Sequence, residues 1–78
     1  MAPEAYVLIN AVPGREDDFV KNVREIEGVT SAFRVNGVYD IVAKIKAPTE
    51  EGVKNIVTDK IRRLPYLGST LTMFTVEK

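Results

Sequence analysis

The sequence predicts an α+β sandwich: a four-stranded antiparallel sheet with two helices on one face. Three observations lead there. The spacing of apolar residues switches between strand-like and helix-like segments in the order β-α-β-β-α-β. A turn dipeptide, Asn36-Gly37, stands between two strand-like runs. Acidic residues gather where each helix should begin, at Glu16, Asp17 and Asp18 and again at Glu50 and Glu51.

Each element has its own warrant. "AYVLINAV", residues 5–12, is apolar at nearly every position and is followed by Pro13-Gly14, which predicts a strand buried on both faces. In "GREDDFVKNVREIEG", Phe19, Val23 and Ile26 fall at i, i+4 and i+7 and Val20 widens the stripe, predicting a helix over about residues 15–27 stopped by Gly28. "VTSAFRVNGVYDIVAKIK" predicts a hairpin with a type I′ turn at Asn36-Gly37, because both central residues of that turn need positive φ; a two-residue turn pairs Phe33 with Asp40 and Ser31 with Val42. Thr49 reads as the N-cap of the second helix, with Val53, Ile56, Val57, Ile61 and Leu64 as its apolar stripe and Pro65 as its end. "STLTMFTVE", residues 69–77, alternates as a last strand. This order is a split βαβ, and right-handed crossovers turn it into a ferredoxin-like βαββαβ sandwich with the first and third strands central.

Length and composition narrow the function. The 78 residues suit one small domain, 1–78, whose core is marginal alone and is often supplemented by disulfides, a metal or oligomerisation. The chain has no Cys and no His, so disulfides, the two commonest zinc ligands, thiol nucleophiles and imidazole bases are all missing; no metal and no cofactor are expected, and oligomerisation is the remaining aid. Eleven basic residues balance eleven acidic ones without a long block of either sign, so direct nucleic-acid binding is not expected. The apolar run near the N-terminus is too short to span a bilayer and lacks a basic leader, which reads as a cytoplasmic protein with no membrane attachment.

The sheet face opposite the helices should be polar in an isolated sandwich, and it is not. With Ile41, Ala43 and Ile45 assigned to the helix side, Asp40, Val42 and Lys44 point to the open face, Phe33 and Val35 join it, and either alternate set of the first strand adds further apolar side chains. A patch of that extent marks an interface, so a second copy is expected to cover it.

Read as one line, residues 26–76 resemble the ligand-binding (RAM, regulation of amino acid metabolism) domain of the leucine-responsive regulatory protein/AsnC family. The resemblance rests on Ile26-Glu27-Gly28-Val29, on Gly37-Val38-Tyr39-Asp40 leading an apolar strand, on the second helix ending near Leu64, and on Ser69-Thr70-Leu71-Thr72 opening the last strand. It implies a ferredoxin-like dimer, assembled further into octamers or similar rings, that binds amino acids in pockets between dimers. Regulators of that family carry an N-terminal helix-turn-helix domain. Here the first buried strand begins almost at Met1, so the chain resembles the stand-alone form, and a regulatory role would pass through another protein, such as a helix-turn-helix relative.

The candidate ligand-binding residues are Gly37, Tyr39, Asp40, Thr70 and Thr72. A buried, unpaired Asp40 would cost several kcal/mol, so an α-ammonium group, a Lys or Arg, or water has to satisfy it; residue chemistry leaves these level, and the resemblance favours the ligand. Gly37 is explained by the turn alone, yet a residue without Cβ also lets backbone N–H groups approach a carboxylate. Tyr39 reads as a packing residue that can double as a pocket wall. Thr70 and Thr72 share one face, Ser69 takes the other, and the family pattern brings this segment near the small-molecule site. Glu16, Asp17 and Asp18 read as complements to the helix dipole, and Lys60, Arg62 and Arg63 as a solvated helix end, with anion binding the lesser alternative. The expected function is a non-catalytic, oligomeric effector-binding domain. The competing reading is a small dimeric ferredoxin-like enzyme of the monooxygenase or isomerase type, supported by fold analogy alone.

Overall fold

The computed structural model describes residues 3–75. In chain order the elements are β1 (Glu4–Ala11), α1 (Glu16–Arg24), β2 (Val29–Arg34), β3 (Ile41–Lys46), α2 (Glu50–Asp59), a 3-10 turn (Ile61–Arg63) and β4 (Leu67–Phe74). The strands form one antiparallel sheet in the order β2-β3-β1-β4, the ferredoxin-like arrangement with the first and third strands central.

Alternation along β1 builds the core. Ala5, Val7 and Ile9 are fully buried, as are Ile41, Ala43 and Ile45 of β3, and onto them pack Phe19, Val20 and Val23 of α1, Val53 and Val57 of α2, and Ile61 of the 3-10 turn. The other residues of β1 (Glu4, Tyr6, Leu8 and Asn10) are only half-buried, so the strand is not buried on both faces as its composition suggests. The reason is architectural: among the described residues no second layer lies over that side.

The helix boundaries show how local chemistry sets them. Thr49 is the N-cap of α2, its hydroxyl accepting the Gly52 N–H at 3.0 Å. At the start of α1, Glu16 accepts the Gly14 N–H at 2.9 Å. Helix α1 ends at Arg24, three residues before the expected 27, yet Ile26 still packs against the core from the turn that follows. Gly28 makes that turn with φ +98°, and a Cβ there would lie 2.5 Å from Ile56 Cδ1. The second helix likewise stops at Asp59, and Ile61 reaches the core from the 3-10 turn.

The hairpin departs most from expectation. Phe33 pairs with Val42 and Ser31 with Lys44, two residues away from the predicted register. The type I′ turn is absent, because Gly37 is not among the positive-φ residues, and Val35 N–H instead donates to the Asp40 carbonyl at 2.8 Å to close a four-residue loop over residues 36–39. The cause lies on the neighbouring strand. Asp40 is fastened to β1 by its N–H, which donates to the Ile9 carbonyl at 3.0 Å, and by its carboxylate, which accepts the Ala11 N–H at 3.3 Å. Position 40 is thus already in the sheet, and the reversal falls to the residues before it. A shift of two preserves parity, so Phe33 and Val42 remain on the open face.

Strand β4 begins two residues earlier than expected, at Leu67; residues 76 and 77, the expected end, lie outside the described residues. Its register shifts at Asn10/Ala11, where Gly68 passes so close that a Cβ would sit 2.6 Å from the Asn10 carbonyl oxygen. Tyr66, at φ 71°, sets up this approach: its carbonyl accepts the Val12 N–H at 2.8 Å, and the Arg15 guanidinium lies 4.9 Å from its ring centroid.

Candidate functional site

The open face can be read row by row from the strand register. Across the middle run Phe33, Val42, Leu8 and Leu71, an unbroken apolar row; beside it run Ser31, Lys44, Tyr6 and Met73. Phe33, Leu71 and Met73 are each close to half exposed, at 45%, 45% and 46%. One cation of this face is paired, for Lys44 Nζ lies 3.3 Å from Glu4 Oε2 and 6.0 Å from the Tyr6 ring centroid. Apolar side chains at the centre with a paired charge at one end suit a surface that is to be covered by protein.

Asp40 sits at the other end of the sheet, half-buried, where β3 joins its loop. Its carboxylate takes one backbone N–H, from Ala11, and no Lys or Arg among the described residues forms an ion pair with it. A carboxylate offers about four lone-pair positions, so capacity for a further donor remains. Asn10 and Ser69 stand on the neighbouring strands of this end, joined by a hydrogen bond of 3.3 Å from Asn10 Nδ2 to Ser69 Oγ. Tyr39 is half-buried beside Asp40, and Gly37 and Val38 are exposed in the loop, Val38 to 88%.

Thr70 and Thr72 belong elsewhere. They pair with Ile9 and Val7, core residues, and so face the helix side, where they line a groove between α2 and β4. None of Gly37, Tyr39 and Asp40 lines that groove. The five sequence candidates therefore form two groups: Gly37, Tyr39 and Asp40 at the loop end of the sheet, and Thr70 and Thr72 under α2. The groove also takes in Lys54 and Arg62, which sequence reasoning did not join to the threonines. Only Arg62 had a signal, the basic run Lys60, Arg62 and Arg63. Another concavity, of about 550 Å³, lies between the ends of α1 and β3 and the side of α2, with Ile26, Ala47 and Ile56 as apolar wall and Glu27, Lys46 and Lys60 among its charged lining.

The described residues hold no group of three or more His, Cys, Asp or Glu able to bind a metal, and no described helix is long and apolar enough to cross a membrane. The acids of α1 are engaged locally: Asp18 meets Arg15 at 3.2 Å, and Asp17 meets Arg34 at 3.0 Å.

Comparison with known proteins places this geometry. An uncharacterized HTH-type transcriptional regulator of Pyrococcus furiosus is 33% identical over 72 residues, which cover 88% of this chain and 48% of that protein. The chain spans about half the length of the curated relatives it matches. The crystal structure of TTHA0845 from Thermus thermophilus superposes with a TM-score of 0.92 at 26% identity, over 97% of this chain and 95% of that one. A Neisseria meningitidis transcriptional regulator solved as an L-Met complex has the same fold, with a TM-score of 0.86 at 17% identity over 97% of this chain and 51% of its own. The sheet order read above is thus a shared one, and residues 4–78 match the Lrp/AsnC ligand binding domain, the family to which this chain belongs.

Proposed function

We propose that this chain is a non-catalytic effector-binding module that takes an amino acid, or a similar small zwitterion, at a subunit interface and acts on transcription or amino acid metabolism through its state of assembly. The observation that carries the reading is Asp40: a half-buried carboxylate, tied by one backbone N–H to the central strand, without a cationic partner among the described residues. An α-ammonium group supplies the missing charge, and backbone N–H groups of the exposed loop at Gly37 supply donors for the carboxylate. Tyr39 serves as a wall. The uncovered apolar face supports a dimer, and the family match supports further assembly into an octamer or similar ring. Ligand seated between subunits then binds the assembled state better than the separate one and shifts the equilibrium by that difference. Contact with DNA would pass through a helix-turn-helix partner of the same family, because this chain is formally neutral and has no long block of basic residues.

The test begins with a thermal-shift screen of the common amino acids, methionine included, on protein freed of carried-over ligand, since selective binding raises apparent stability as RT ln(1 + [L]/Kd). Asp40→Asn is then titrated with the best ligand. Losing a charge-assisted hydrogen bond worth roughly 1.5–3 kcal/mol weakens binding about ten- to a hundredfold, while the asparagine oxygen still accepts the Ala11 N–H and the fold survives. Equal affinities for wild type and variant would move the site away from Asp40.

A further inference from the structure

The groove between α2 and β4 has a chemistry opposite to that of the Asp40 end. Its volume is about 300 Å³, at the lower limit for a small-molecule site. Two cations, Lys54 and Arg62, line it, and no acid does. Neither cation belongs to an ion pair among the described residues. Lys54 is partly oriented, its Nζ lying 6.0 Å from the centroid of the Phe74 ring. Three hydroxyls, of Thr58, Thr70 and Thr72, share the lining; the threonine hydroxyls that form hydrogen bonds among the described residues are those of Thr30, Thr49 and Thr75, none of them in the groove. Val57, buried, and Phe74, half-buried, give it an apolar floor.

We propose that this groove is a second binding site, separate from Asp40, for a small apolar carboxylate without an α-ammonium group, a branched-chain 2-oxo acid being the class that engages all of its features. The carboxylate meets Lys54 and Arg62, the latter able to bind it through two parallel N–H donors. A threonine hydroxyl donates to the keto oxygen. The branched aliphatic body lies against Val57 and Phe74. An α-amino acid of the same shape is disfavoured because its ammonium faces the same two cations and finds no carboxylate to receive it. The two sites thus discriminate in opposite senses, one needing the ammonium and the other rejecting it. The proposal does not depend on Asp40, and its failure would leave the reading of that residue untouched.

Calorimetric titration of the intact protein with 4-methyl-2-oxopentanoate and with leucine decides the matter. The oxo acid is expected to bind saturably, more weakly as salt is added, and without displacement by leucine. Lys54→Gln combined with Arg62→Gln lowers its affinity about tenfold or more, whereas Asp40→Asn leaves it unchanged. Thr72→Val and Thr70→Val, made together, cost the oxo acid more than they cost 4-methylpentanoate, which lacks the keto oxygen. Both cations are exposed, so circular dichroism should show the charge variant folded like wild type. No saturable heat at millimolar oxo acid, displacement by leucine, or an unaltered affinity in the charge variant would overturn the proposal. Equal displacement by inorganic phosphate would overturn it too, by reducing the groove to an unselective anion site.

Discussion

The two faces of the sheet are made from the same four strands, residue by alternate residue, yet they are finished to different degrees. On the helix side Val7, Ile9, Ile41, Ala43 and Ile45 are wholly out of solvent. On the open side Phe33, Leu71 and Met73 remain nearly half exposed, and the half-buried Tyr6 and Leu8 lie between them. The difference teaches that a chain of this size completes one core by itself and leaves a second one half built. The helix side should answer to the physics of folding, and the open side to the physics of association.

The largest expected effect tests the finished face. Phe19→Ala removes a fully buried aromatic ring from α1 and should cost about 3–5 kcal/mol in urea unfolding at fixed protein concentration, with no change in assembly in the folded fraction. A loss below about 1 kcal/mol, the scale of a surface change, would mean that the helix-side core is looser than its burial implies. Next comes Leu71→Glu with Met73→Glu on the open face. Light scattering should show wild type as at least a dimer and the double variant as a folded monomer. A variant that stays assembled would place the interface elsewhere and break the comparison. The smallest effect is a control: Thr49→Ala removes the α2 cap, remote from the open face, and should lower stability by about 1 kcal/mol while leaving oligomeric state as it was. A change of assembly in that variant would blur the separation between the two faces.

Much of this division could be read from the order of residues. Ile41, Ala43 and Ile45 named the helix side of β3, and alternation carried Val42 and Phe33 to the other side even though the hairpin register was off by two. Parity survives such an error because side chains repeat every second residue. The turn itself was not legible: Asn36-Gly37 has the composition of a type I′ turn, but the bonds from Asp40 to Ile9 and Ala11 come from a strand some thirty residues away, and local chemistry carries no trace of them. Helix ends were overrun for a related reason, since Ile26 and Ile61 keep the apolar rhythm while sitting in turns that also face the core. Asp40 could be singled out because an acid is anomalous at the head of a strand. Joining Lys54 and Arg62 to Thr70 and Thr72 required the packing of α2 beside β4, which no spacing in the sequence expresses.

The strand order has a consequence for how the molecule comes into being. Strand β1, made before the others, has β3 and β4 as its neighbours, and both follow it at long range in the chain. The stretch from Glu4 to Arg34 therefore contains two strands and a helix but no pair of adjacent strands, so a nascent chain that has reached Arg34 has no sheet to form within this domain. Among the described strands only the β2–β3 hairpin joins strands that follow one another, and the residue after its loop, Asp40, is bonded to β1. Loop-closure entropy must be overcome over most of the domain before the central pairing yields any return, which puts it among the slower folders for its length and makes the finished sheet wait on the emergence of β4 from the ribosome.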